Sequence, residues 1–229
     1  FTIAYQINIR KEKIYGMQTM ISIKEESNPF FTSNTSLVFN WGGISDQVNG
    51  ISTILQSRSH NERVVYKLQF YIDYLVQGKN NLIDSYGAVP FYVDIDKTKG
   101  QLANTLINIK FLSENEYQIQ IPFEVNSVSL ITYSNNSYSN TSVQPTTFIK
   151  KYKVGERVSL PFLNWKLQIV DNPGFYKGKE YFVRFNDFEG TVSQYKGINV
   201  DAGKSTGSLL TLSMQGTNKA RMVDYLNAT

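Results

Sequence analysis

The period of the hydrophobic pattern changes repeatedly along this chain, and that change limits the folds open to it. Ile44, Val48, Ile51 and Leu55 fall at i, i+4, i+7 and i+11, one face of a helix. From about Leu75 to Ser208 apolar residues instead alternate with polar ones, the period of a half-buried strand. After Thr217 the helical spacing returns at Ala220, Val223 and Leu226. Such a chain builds sheet in its middle and packs helices from its two terminal portions. The sequence therefore predicts an α+β protein: a mixed sheet packed by short helices, with a β-rich inserted subdomain. We place the α+β domain at 1–87 plus 187–229 and the β-rich insertion at 88–186.

The composition agrees with a folded chain able to bury a core: 229 residues, 41% apolar and 14% aromatic. Fifteen Tyr and fourteen Phe favour sheet. With no Cys, a disulfide framework and thiolate metal sites are excluded. One His in the whole chain argues against a His-rich metal site and a Ser-His-Asp triad. No metal, cofactor or catalytic residue is expected. Unbroken apolar runs are only a few residues long, too short to cross a bilayer. The start on Phe1 and the finish inside a helical pattern look like those of an excised piece, with membrane anchors expected outside it.

In more detail, Phe1 to Ile9 and Met17 to Ile23 read as strands, and 25–40 reads as a loop. Ser45 or Asp46 is expected to cap the first helix. Ser59 and Glu62 are expected to form a capping box on a second helix, striped by Val64, Leu68, Tyr71 and Leu75. A break separates the two helices near Ser57-Arg58. In the middle, Leu106 to Phe111 and Tyr117 to Ile121 form an apparent hairpin. Tyr133 to Thr147, rich in Ser, Asn and Thr, reads as a loop. Trp165 to Ile169, Tyr181 to Phe185 and Leu210 to Met214 read as strands. Asp187 to Tyr195 reads as a short helix capped at Asn186 or Asp187, and Thr217 as the cap of the final helix.

Several motifs suggest chemistry, and each has a plainer reading. Gly203-Lys204-Ser205-Thr206 resembles the end of a phosphate-binding loop. Position 198 is Ile where that motif needs Gly, and a strand pattern follows where a helix is required. It is a polar turn. His60 belongs to the start of the second helix and has no nucleophile pattern beside it. Asp94 and Asp96 share one face of a strand, a pair that could serve a hydrolase, but read better as a solvated strand edge. The aromatics could stack on carbohydrate, yet their alternation in strands is explained by core packing. Trp41, flanked by glycines, is either exposed or packed at the helix start.

Charge is unevenly spread. Between Thr147 and Asn186 eight Lys and Arg face three acids, so this segment carries +5 of a chain whose net charge is +4. Lys150, Lys151, Lys153 and Arg157 are its densest part and the candidate contact for a polyanion. The basic residues are too few and too strand-borne for nucleic acid.

Some short motifs, in their order, carry a resemblance. Tyr15 to Glu25 is followed by Ile54-Leu55-Gln56-Ser57-Arg58-Ser59 and Val64-Val65-Tyr66-Lys67-Leu68. Next come Phe70-Tyr71-Ile72-Asp73-Tyr74 and Pro90-Phe91-Tyr92-Val93. The chain closes on Leu210-Thr211-Leu212-Ser213 and on Asn218-Lys219-Ala220 through Leu226-Asn227. This series resembles the periplasmic domain of the polysaccharide chain-length-determinant (Wzz-type) family. Within it, the likeness is to the version in bacterial tyrosine autokinases of capsule and exopolysaccharide assembly. The resemblance covers both terminal portions, just under half the chain.

It implies a non-enzymatic periplasmic domain anchored to the inner membrane by flanking helices. It implies a ring of identical subunits working with the polymerase and export machinery, and acidic polysaccharide as a possible contact. Any kinase domain would lie outside this chain. The alternative expectation is a secreted or surface-anchored carbohydrate-binding module.

Overall fold

The computed structural model describes residues 13–22, 43–170, 178–195, 198–202 and 209–229. Among them it holds four helices and fifteen strands, an α+β fold that is mostly β. The chain divides into two compact units. One takes in residues 69–191, and the other residues 13–68 with 192–229. The predicted strand Phe1 to Ile9, the loop 25–40, Trp41 and Gly203 to Thr206 lie outside the described residues.

The smaller unit joins the two terminal portions. Strand β1 (Tyr15–Ser22) runs antiparallel to β15 (Leu209–Gly216) along its full length, from Tyr15 opposite Gly216 to Ser22 opposite Leu209. Strand β14 (Asn199–Ala202) pairs with the other side of β15. Alternation puts Leu210, Leu212 and Met214 on one face, all buried, and Thr211, Ser213 and Gln215 on the other. Helix α1 (Gly43–Gln56) rests on β14. Helix α4 (Lys219–Ala228) rests on β1 and β15, and α2 (Arg58–Leu68) meets both other helices.

Three local expectations change here. Helix α1 begins at Gly43, so Ser45 and Asp46 lie inside its first turn. Helix α2 begins one residue after the break, capped by the Ser57 hydroxyl, which accepts from the His60 N–H at 3.2 Å. Ser59 therefore lies inside the first turn and forms no capping box, and Arg58 engages the Glu62 carboxylate one turn away. Asn218, not Thr217, caps α4, its Oδ1 accepting from the Arg221 N–H at 3.1 Å.

The larger unit is a β-sandwich. Its six-stranded antiparallel sheet runs in the order β10 (Thr147–Lys153), β7 (Glu116–Pro122), β6 (Ile107–Phe111), β13 (Glu180–Phe185), β2 (Ile72–Gln77), β3 (Leu82–Asp84). Two three-stranded sheets complete the unit. One is β11 (Arg157–Leu160), β12 (Leu163–Ile169) and β4 (Phe91–Ile95). The other is β5 (Gln101–Leu102), β8 (Ser127–Thr132) and β9 (Ser137–Ser142).

The period-two pattern explains this core. Ile107, Ile109 and Phe111 of β6, and Tyr117, Ile119 and Ile121 of β7, are fully buried. Phe91 of β4 meets Tyr74, Phe111 and Tyr181 with centroids 5.4–5.8 Å apart. The rings are tilted or edge-on, the arrangement their quadrupoles favour.

Two further corrections fall in this unit. Helix α2 stops at Leu68, so Tyr71 and Leu75 do not extend its stripe; Tyr71 precedes and Leu75 lies in β2, which pairs with β13. The left-handed Gln69 (φ 53°) makes the turn between them. The stretch read as a loop from Tyr133 contains β9, whose six residues pair with β8 around the Asn136 turn. The strand is nearly all Ser, Asn and Thr because both its faces are solvated. Helix α3 (Phe188–Gln194) starts as expected, with Asp187 Oδ2 accepting from the Gly190 N–H at 2.6 Å.

Candidate functional site

Strand β10 is an edge of the six-stranded sheet and carries three of the four basic residues singled out by charge. Successive side chains on a strand point to opposite faces, so Lys150 and Lys151 cannot share one. Lys150 lies on the side of the buried Tyr152, its Nζ 5.1 Å from that ring's centroid, a cation–π contact. Lys151 and Lys153 lie on the opposite, outward face. Arg157 belongs to a different sheet, where it stands opposite Lys166 on β12. The four residues therefore do not form one patch.

Register brings other groups to Lys151 and Lys153. Lys151 stands opposite Gln118 of β7, which stands opposite Lys110 of β6. One row along, Ile149, Gln120 and Asn108 follow one another across the same three strands. Lys153 stands opposite Glu116. Lys110 Nζ reaches Glu180 Oε1 of β13 at 3.0 Å, and this contact holds the Glu180 carboxyl below its ordinary range, with help from the Asn108 amide. The result is an outward face of amides and mixed charge, with Ile149 55% exposed at its edge. Lys110, Gln118, Gln120 and Asn108 were absent from the sequence-based candidates. Their alternation within the hairpin was visible, but their place beside β10 depends on long-range register.

The chemistry such a face offers is binding. Amides donate and accept hydrogen bonds, and Lys151 adds positive charge facing an uncharged partner. A general acid needs a carboxyl whose pKa is raised toward neutrality, whereas Glu180 is shifted the other way.

Asp94 and Asp96 do not make an acid/base pair either. Asp94 is exposed on β4, opposite Lys166. Asp96 lies past the strand end, where its Oδ1 accepts from both the N–H and the hydroxyl of Thr98 at 3.0 and 2.6 Å. Those bonds lower its pKa, and Arg157 and Lys99 lower it further. It is a turn residue with a stabilised charge.

Most aromatic residues of this unit are core. Tyr92 and Tyr138 are the exposed ones among the described residues there, at 44% and 51%. Each is tied down by its hydroxyl: Tyr92 donates to Gln168 Oε1 at 2.8 Å and Tyr138 donates to Asp187 Oδ1.

In the smaller unit, a cavity of about 590 Å³ lies on the three-stranded sheet, with Gly16, Gln18, Asn199, Ser213 and Gln215 among its lining residues. Gln18, Ser213 and Asn199 are direct cross-strand neighbours. His60 is half-buried. Burial, and secondarily the Arg63 charge, push its pKa down. Among the described residues no three His, Asp or Glu side chains gather at metal-binding distance, and no helix is long and apolar enough to cross a membrane.

No family model matches this chain, and no curated protein matches its sequence.

Proposed function

We propose that this chain is a non-enzymatic, extracytoplasmic domain of a polysaccharide co-polymerase of the chain-length-determinant type. It would be part of an inner-membrane oligomer that sets the length, or couples the export, of a capsular or exopolysaccharide. The observation that carries the reading is the eight-residue ladder between β1 and β15. Through it the two terminal portions share one small α+β unit, and residues 69–191 form a β-sandwich inserted between them. A β-rich segment set between terminal portions that pair with each other supports this reading.

A length regulator needs no reactive site. Identical subunits in a closed ring repeat one surface, and many weak contacts to one polymer add through effective concentration. The outward face of β10, β7 and β6, with Lys151, Lys153 and Lys110, is the surface we assign to acidic polysaccharide. The periplasm of a Gram-negative-type cell envelope would be its location, and the polymerase and export machinery its partners. If a tyrosine autokinase domain exists in the parent protein, it lies outside this chain.

The experiment is to read the open reading frame on both sides of the segment. Apolar spans of about 20 residues on each flank support the reading, and a phosphate-loop kinase after the second would make the parent an autokinase. A cleaved signal peptide with no second span would overturn it.

A second reading rests on the sandwich having its own aromatic core and an amide-lined open face. On that reading the chain is a secreted or surface-anchored carbohydrate-binding module. Saturable oligosaccharide binding by a monomer distinguishes it.

A further inference from the structure

We infer that an internal water site joins the six-stranded sheet to the sheet of β11, β12 and β4, held by the hydroxyls of Tyr117 and Tyr152 and the indole N–H of Trp165. All three polar atoms are buried and make no hydrogen bond among the described residues. The side chains themselves are 0%, 5% and 0% exposed. Buried polar atoms without partners are rare in native proteins, and here three of them converge from three strands.

The convergence is set by register. Tyr117 on β7 and Tyr152 on β10 are direct cross-strand partners, with ring centroids 6.0 Å apart. Trp165 approaches from β12 in the facing sheet. Its N–H lies near enough to the Tyr117 hydroxyl to favour the phenolate, against the larger opposing effect of burial, yet without the geometry of a hydrogen bond. The Glu156 carboxylate acts on both phenols from the turn after β10. The two rings stand farther apart than the stacked Tyr71 and Tyr133, whose centroids are 3.9 Å apart, so they do not close on each other.

The donors and acceptors define what fits between them. The indole can only donate, a hydroxyl donates and accepts, and a carboxylate only accepts. A cation would meet the indole N–H head-on, and an ion of either sign would lose its hydration with no counter-charge among the three groups. A neutral molecule with two donors and two acceptors satisfies every group. It accepts from Trp165 and from one phenol, and it donates to the other phenol; Glu156, exposed and accepting from the Lys153 N–H at 2.8 Å, stands outside the site. Water has this valence, and a buried water makes about three such bonds.

A crystal structure of the chain at a resolution that shows ordered solvent tests the site. The expected result is one spherical peak within about 2.7–3.2 Å of Trp165 Nε1 and both hydroxyls. The peak should be lost in Trp165→Phe and kept, on two partners, in Tyr152→Phe. A direct bond between Trp165 Nε1 and the Tyr117 hydroxyl with no peak between them would overturn the inference. So would a peak at about 2.3–2.6 Å, the distance of a metal ion and not of water.

Discussion

The hydroxyl of Tyr225 donates to Oδ1 of Asn61, 164 residues earlier in the chain. Both side chains are buried. Asn61 Nδ2 donates in turn to the Ser57 carbonyl at 2.9 Å, and the Tyr195 ring stacks on Tyr225 with centroids 5.2 Å apart and planes at 15°. One polar contact thus ties α4 to the start of α2, inside a unit whose residues come from both ends of the sequence.

Removing that hydroxyl leaves Asn61 Oδ1 buried without its partner. Tyr225→Phe should destabilise the smaller unit by about 1–3 kcal/mol, the cost of an unsatisfied buried acceptor. Asn61→Leu in the same background should recover part of the loss, because it removes the acceptor too. Urea midpoints for the two variants decide. Equal stability of wild type and Tyr225→Phe would show that the contact contributes nothing.

The same tyrosine gives an alkaline limb to stability. Burial pushes its pKa up to about 12, from 10 when unfolded. The folded state therefore holds the proton more tightly. The corresponding stability is fully present below pH 10 and is lost as pH rises from 10 through 12. Tyr225→Phe should flatten this part of a stability-versus-pH curve, although the similarly raised Tyr117 and Tyr133 leave a residual slope.

His60 acts at the acid side. Its folded pKa lies below the unfolded value of 6.5. Between the two, the unfolded state binds more protons, so stability falls as pH drops below about 6.5. His60→Gln should reduce that fall. An unchanged slope between neutral and mildly acid pH would contradict the assignment.

Ile119 is fully buried on β7, the strand next to the edge strand β10 of the six-stranded sheet. Ile119→Ala should cost about 2–5 kcal/mol through lost burial and the cavity left behind. Guanidinium or thermal unfolding measures it. Lys151→Ala, on the outward face of the neighbouring strand, should change stability by less than about 0.5 kcal/mol.

Much of this fold was legible because period is a local property. The alternations at Ile107, Ile109, Phe111 and at Tyr181, Val183, Phe185 gave their strands directly. Where reading failed, the reason was local in some places and long-range in others. Val64, Leu68, Tyr71 and Leu75 hold a helical spacing across Gln69, whose left-handed backbone ends the helix without a Gly or Pro to announce it. Strand β9 has no apolar alternation to read, since neither face is buried. The candidate surface was the least legible. A run of Lys150, Lys151 and Lys153 looks like one patch in sequence, but alternation divides it between two faces. The amides beside Lys151 arrive by pairing with residues some thirty positions away.

The most direct measurement is the length distribution of surface polysaccharide from cells lacking the gene, complemented either with wild type or with Lys151→Glu/Lys153→Glu. The account predicts that loss of the gene shifts the modal length and that wild type restores it. The charge-reversed protein, present at the same level, should fail to restore it. A length distribution unchanged by loss of the gene would contradict the proposed function.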